Sequence, residues 1–273
     1  MNYKQIEQSL ASRTPIRLYT FKLGAVRWDY NTSSETIIRN NIKYKTIKGG
    51  ISDRGIIVSD GGISDNFTLT APATIEIARL FDNMPPSSRL TLEVANTHLQ
   101  TDEVIPSFWG VVVTVTEKTA ATVEITAGPN ETMTNRPGVT LVYSRTCGAM
   151  IYDHQCKVNK ELYKVRAALQ QIAVSSVTVS EAANHPDGWF SGGFIEYTDS
   201  NGELDRRYIE QHTGTTLHLW GGTQGLNQSQ AINLYAGCNG SPDACANKFD
   251  NSLNRQAFDH LQGWSPFDGS QIF

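Results

Sequence analysis

Apolar and polar residues alternate along most of this chain with a period of two, which predicts strands with one covered and one exposed face. Arg17, Tyr19, Phe21 and Leu23 alternate with Leu18 and Thr20, and Gly24 then turns the chain into Val26-Arg27-Trp28-Asp29-Tyr30, whose Val26, Trp28 and Tyr30 share a face. The two runs predict a hairpin. Residues 36–47 are again rich in β-formers, and Gly49-Gly50, Gly55 and Gly61-Gly62 punctuate short strands such as 56–58 before another at 67–70. Strands are expected at 90–95, 107–116 and 122–127, the Val111-Val112-Val113 run predicting a central strand covered on both sides. Gly128-Pro129-Asn130 reads as a turn, after which 139–143 leads into Cys147. The period changes only twice. Ile6 and Leu10 suit one face of a short helix over 2–11, stopped by Thr14-Pro15, and Ile77, Leu80 and Phe81 suit a helix over 73–81, closed by Pro85-Pro86.

A second strand series follows Cys156, at 163–169, 174–179, 189–197, 206–212, 216–219 and 231–235. Turn signals such as Pro186-Asp187-Gly188 and Ser200-Asn201-Gly202 recur at about ten-residue intervals, the spacing of a small barrel or sandwich. The expected fold class is therefore mainly β with a few short helices: two β domains joined by a cysteine-centred segment. The boundaries are 1–145 for an N-terminal β-rich domain with one embedded helix, and 146–254 for a second β domain bracketed by cysteines. Residues 255–273 are expected to form an irregular tail packed by its aromatics, in a stretch from 247 onward that carries Phe249, Phe258, Trp264 and Phe267.

Composition fits this picture. Hydrophobic residues make up 39% of the 273, with ten Tyr, ten Phe and five Trp, enough for a proper core. Charge is uneven: residues 1–145 carry 15 basic and 14 acidic groups, whereas 146–273 carry 8 and 13. The second half would not attract a polyanion, so sequence-specific binding of nucleic acid is not expected. No run of eighteen apolar residues occurs, so no membrane span is expected. Residues 1–10 lack the apolar segment of a secretory signal, which implies synthesis in a cytoplasm that keeps thiols reduced.

The four cysteines fall as two pairs: Cys147 and Cys156 with eight residues between them, and Cys238 and Cys245 with six. Eighty-one residues separate the pairs, which bracket the second β series, so closing both around one centre would staple its ends together. Gly148, Gly237 and Gly240 stand beside the thiols, where a backbone must turn tightly or approach something closely. Four sulfurs from two turns suit a tetrahedral metal or an iron–sulfur cluster. Neither spacing matches a zinc ribbon or the common ferredoxin runs, and two disulfides or four buried thiols are the competing readings. His154 lies inside the first pair and reads as a loop residue. The six histidines form no H-E-x-x-H, no serine occupies a G-x-S-x-G elbow, and no glycine-rich loop carries a phosphate-binding lysine. The pairings His185 with Asp187 and Asp205 with His212 are better explained by turn and strand-surface chemistry, so no catalytic residues are assigned and an enzyme is not expected.

Beyond these patterns, the ordered motifs resemble a known family. Cys147 and Cys156 are followed by Pro186-Asp187-Gly188-Trp189-Phe190-Ser191-Gly192-Gly193, then Arg206-Arg207 and His212-Thr213-Gly214. Tyr235-Ala236-Gly237-Cys238, Cys245 and Phe249-Asp250-Asn251-Ser252-Leu253-Asn254 complete the series. Together they are similar to the baseplate hub or tail-tip proteins of long-tailed phages and gene transfer agents, a group related to the lambda-type iron–sulfur tail-tip protein. The likeness is specific over about 145–254 and only architectural before it. Beyond 254 the family's Gly/Pro/Phe-rich end is matched only loosely.

The resemblance implies a structural virion protein at the tail tip, assembled in the host cytoplasm. It implies a homotrimeric ring that joins the distal tail protein and tube to a central tip, fibre or host-recognition protein and frames the DNA exit channel. It also implies a [4Fe–4S] cluster held by Cys147, Cys156, Cys238 and Cys245, with zinc as the alternative metal on the same residues. Acids of 146–273 facing the channel would keep exiting DNA from sticking. The rival readings are a zinc-stabilised tail protein and a tail-associated cell-wall hydrolase.

Overall fold

Alternation becomes strand wherever one face finds a core, and a computed structural model of the chain shows where that happens. It describes residues 3–8, 15–59, 62–63, 66–81, 85–130, 144–200 and 202–261. The protein is mainly β with a few short helices. The chain divides into two compact units, 1–136 and 137–273.

In the first unit, β1 (Ile16–Leu23) and β2 (Val26–Asn31) form the expected hairpin, with Phe21 opposite Trp28 and Leu23 opposite Val26. The short β3 (Ile37–Arg39) and β4 (Ile42–Thr46) follow, β4 lying parallel to β2. The remaining strands are β5 (Ser52–Asp53), β6 (Val58–Ser59), β7 (Gly62–Ile63), β8 (Phe67–Pro72), β9 (Thr91–Thr97), β10 (Ile105–Thr119) and β11 (Thr122–Pro129). Apart from the separate β6–β7 ribbon they make one sheet in the order β3-β4-β2-β1-β9-β10-β11-β8-β5.

Tyr19, Phe21 and Leu23 face the main core with Leu69, Ile77, Leu92 and Ile125, while Ile16 and Leu18 face a smaller cluster with Ile37 and Tyr44. The strand covered on both faces is therefore β1. The expectation that Val111–Val113 would be so covered is corrected: Val112 is buried but Val113 is 57% exposed, because only one face of β10 meets the core.

Four other expectations are revised. The helix over 73–81 contracts to α2 (Glu76–Arg79), with Ile77 buried, and the rest is single turns such as Phe81 N–H to Ala78 O. The helix over 2–11 is seen as α1 (Tyr3–Glu7) with Ile6 buried, Leu10 lying outside the described residues. Gly128-Pro129 is not a turn but the end of β11: Pro129 pairs with Gly110 of β10 beyond the last rung to β8, so its missing N–H removes no bond from that ladder. The strand expected at 56–58 is displaced to 58–59. The stretch 139–143, Trp264 and Phe267 lie outside the described residues.

The second unit is one antiparallel sheet. Its strands are β12 (Lys164–Ala168), β13 (Gln171–Ile172), β14 (Ser176–Thr178), β15 (Phe194–Thr198), β16 (Leu204–Thr213), β17 (Thr216–Leu219) and β18 (Ala231–Tyr235), in the order β12-β18-β15-β16-β17-β14-β13. Leu169, Val177, Phe190, Ile195, Ile209, Leu217 and Leu234 fill its core. The strand expected from 189 starts only at Phe194. Before it, 186–193 coils into successive tight turns, Trp189 N–H to Pro186 O, Ser191 N–H to Gly188 O and Gly193 N–H to Phe190 O.

The first and last strands of this sheet are neighbours. Lys164, at the start of β12, opposes Tyr235, at the end of β18. The chain entering the sheet and the chain leaving it therefore emerge at the same end, and each carries a cysteine pair.

Candidate cysteine-lined site

All four cysteines line one pocket, together with Ala149, Ile151, Gly240, Asn251 and Arg255. Its empty space, counting the open mouth, is about 360 Å³. The four thiols are free; Cys245 is buried and the other three are half-buried. Among the described residues, no three His, Cys, Asp or Glu side chains are gathered at the spacing of a single metal ion.

Each turn holds its cysteines by local chemistry. Asp153 organises the first: its Oδ1 accepts from the N–H groups of Gln155 (2.9 Å) and Cys156 (2.6 Å), and its Oδ2 from Met150 N–H (3.1 Å). Tyr152 adopts φ +67°, the left-handed region, and its hydroxyl donates to Ala236 O at 2.6 Å. Its ring meets Phe194, Tyr235 and Phe249 edge-on. His154 is exposed on this loop, as expected.

The second turn closes on the first. Cys147 N–H donates to Gly240 O at 3.1 Å. Gly240 sits at φ +72°, and a β-carbon there would press on Thr146 Cγ2 at 2.8 Å. A β-carbon on Gly237 would overlap the carbonyl oxygen of Ser191 and the nitrogen of Gly193. Gly148 has open space around it, so its expected role in close approach is not met. Cys245 lies on a short π-helical turn, Ala244–Lys248.

Three of the four sulfurs receive N–H groups. Gly240 N–H points at Cys238 Sγ (3.4 Å), Gln256 N–H at Cys147 Sγ (3.4 Å) and Asn251 Nδ2 at Cys156 Sγ (3.7 Å). The fourth, Cys245 Sγ, donates to Asn251 O at 3.3 Å, a bond available only while the thiol keeps its proton. Burial raises the Cys245 pKa first, and the other three cysteines add to it. Asn251 thus touches both pairs: it also bonds Cys156 O through its side chain and Cys245 O through its N–H.

Two cations flank the thiols. Arg255 lines the pocket and donates to Gly240 O (3.1 Å) and Arg145 O (2.7 Å) while pairing with Asp259. Lys248 Nζ donates to Trp189 O and Gly237 O and lies 4.4 Å from the Trp189 ring centre. Burial pushes its ammonium pKa down to about 8, partly offset by Cys238.

The motif 186–193 forms the outer support of this site. Asp187 Oδ1 accepts from Gly214 N–H, and Ser191 Oγ from His212 N–H, which fixes the loop to the end of β16. On its other side, Gly192 and Gly193 lie against Cys238 and Tyr235. The imagined acid–base pairs do not form. His185 stacks on Trp189, His212 Nε2 bonds Gly214 O, and Asp205 pairs with Arg207. Arg206 pairs with Glu196.

Sequence reasoning placed the four cysteines and missed Asp153, Lys248 and Arg255 as parts of the site. Asn251 was visible only inside a motif. Nothing local marks the two cations, which matter because the fold brings residues 145, 189 and 237 to them.

Comparison with known proteins gives matches of two kinds. The family described as "Phage conserved hypothetical protein BR0599" matches residues 188–264, which include Cys238, Cys245 and the 186–193 loop from Gly188 onward. A solved chain from the "Virion of native gene transfer agent (GTA) particle" is 19% identical, with a TM-score of 0.73 over 99% of this chain and 99% of that one. No curated protein matches the chain. The protein therefore shares its fold, from end to end, with a chain of a gene transfer agent virion, and part of its second unit with a family of phage proteins.

Proposed function

We propose that this chain is a structural virion protein, the tail-tip or baseplate hub of a long-tailed phage or gene transfer agent. Three copies form a ring that links the distal tail protein and tube to the central tip or host-recognition protein, around the DNA exit channel. The observation that carries this reading is the likeness to a gene transfer agent virion chain, which spans 99% of both chains. The phage family match over 188–264 supports it independently. Antibody-gold labelling of particles in the electron microscope tests the position. Label at the end of the tail is expected; label on the capsid, or none, contradicts it.

Cys147, Cys156, Cys238 and Cys245 are proposed to hold a [4Fe–4S] cluster. The donor set fits: four thiols on one pocket, three of them already receiving N–H groups of the kind that stabilise ligated sulfur. A single tetrahedral zinc would need sulfurs about 3.8 Å apart, from its bond length of about 2.3 Å. No three such side chains are gathered for a single ion among the described residues, and iron, sulfide and zinc analysis distinguishes the two guests.

When bound, the cluster would supply a covalent tie between residues 147–156 and 238–245. Such a tie restricts the unfolded chain as a disulfide does, yet forms in a reducing cytoplasm. The role proposed for it is structural. Cys238→Ser that folds, binds no iron and still completes infectious tails would remove that role.

A further inference from the structure

The Ala244–Lys248 turn presents a thiol and a cation three residues apart, and the cation is held in an unusual way. Lys248 Nζ makes no ion pair with any described carboxylate. It is caged instead by two carbonyl oxygens, Trp189 O and Gly237 O, and by the faces of Trp189 (4.4 Å) and Phe249 (5.2 Å). Keeping an ammonium there costs desolvation that carbonyls and rings only partly return. Gly237 adjoins Cys238, so the charge is fixed one peptide from a proposed ligand. Arg255, which lines the pocket, sits with its side chain 5% exposed, bonded to Gly240 O beside the same thiols.

A buried cation without a carboxylate partner calls for an anion. Four thiolates around a zinc ion or an oxidised iron–sulfur core leave a net negative group, and among the described residues that line the pocket Arg255 is the one charged side chain. We infer that Lys248, caged by Trp189, is a positioning residue that balances the negative charge of the four-thiolate centre and sets how readily that centre accepts an electron or loses its metal. This rests on the four-cysteine reading above. It also gives the 186–193 loop a function: the same turns that buttress Cys238 through Gly192 hold the lysine through Trp189.

The physical consequence has a definite sign. A nearby positive charge stabilises the more negative, reduced state, so removing it lowers the midpoint potential. It also weakens retention of the metal, because the thiolates lose a favourable charge.

The test compares wild type, Lys248→Gln, Lys248→Arg and Trp189→Leu, each purified anaerobically and checked for folding by circular dichroism. Spectroelectrochemical titration and the rate of iron loss to a chelator are the readouts. Lys248→Gln is expected to shift the midpoint potential downward and to lose iron several-fold faster. Lys248→Arg should restore both, and Trp189→Leu should shift both in the direction of the Gln variant. Superimposable potentials and loss rates in wild type and Lys248→Gln overturn the inference, as does an Arg variant that behaves like Gln. If wild type carries no iron, the cluster reading fails on its own. The inference is then decided on zinc-loaded protein, where Lys248→Gln must release zinc faster to a chelating dye and an unchanged rate overturns it.

Discussion

Single residues decide whether the cysteine-bearing turns can meet. Gly237 has no room for a β-carbon beside Ser191 and Gly193, whereas Gly148 faces open space. Gly237→Ala is therefore expected to destabilise the second unit by at least about 1–3 kcal/mol in urea unfolding, the range for forced overpacking. Gly148→Ala should leave the midpoint unchanged. Both glycines stand beside a thiol in sequence, and nothing local separates them; only the loop packed against Gly237 does. His185 carries a second expectation. Burial first, then His212 and Lys248, hold its pKa below the usual histidine value. The folded protein thus keeps the ring neutral while the unfolded chain takes up a proton as pH falls through about 6.5. Stability should fall as pH drops below that value, and His185→Gln should flatten part of the slope when urea midpoints are compared between pH 7.5 and 5.

At the scale of elements, strands were legible wherever alternation was strict and a glycine closed the turn, as at Gly24 between β1 and β2. They were misread where a residue's preference was overridden by position. Pro129 looks like a turn former, yet it ends β11 where a missing N–H is harmless. Val111–Val113 looks doubly buried because valine suits both faces of a strand, but β10 has a core on one side only. The two faces of that strand make the difference measurable. Val112→Ala removes buried methyl groups and should cost about 1–3 kcal/mol, whereas Val113→Thr, on the exposed face, should fall within about 0.5 kcal/mol of wild type. The 186–193 loop was misread in part as strand because Trp189 and Phe190 are strong β-formers. Its glycines at φ +80° and +81°, Gly188 and Gly192, turn it instead.

For the whole molecule, fold and site differ in how far sequence reaches them. The mainly β character follows from pattern alone, and patterns survive where identities do not: this chain keeps the fold of a virion chain at 19% identity. The four cysteines were visible as two pairs, but their convergence depends on β12 lying beside β18, a pairing between residues about seventy apart that no local signal specifies. The cations beside them are less visible still, since Lys248 and Arg255 look like ordinary surface residues until the strand order is known. The proposed tail-tip role and the proposed cluster fit together in one account: such a centre would tie the two ends of the sheet and could form in a reducing cytoplasm.

That account is tested most directly by purifying wild type and Cys238→Ser anaerobically and measuring absorption, iron and acid-labile sulfide. Wild type should absorb broadly near about 400 nm and carry about four iron and four sulfide per chain, and the variant should lose both. A colourless, well-folded wild type without iron or sulfide would contradict the cluster and leave the pocket's cysteines as thiols alone.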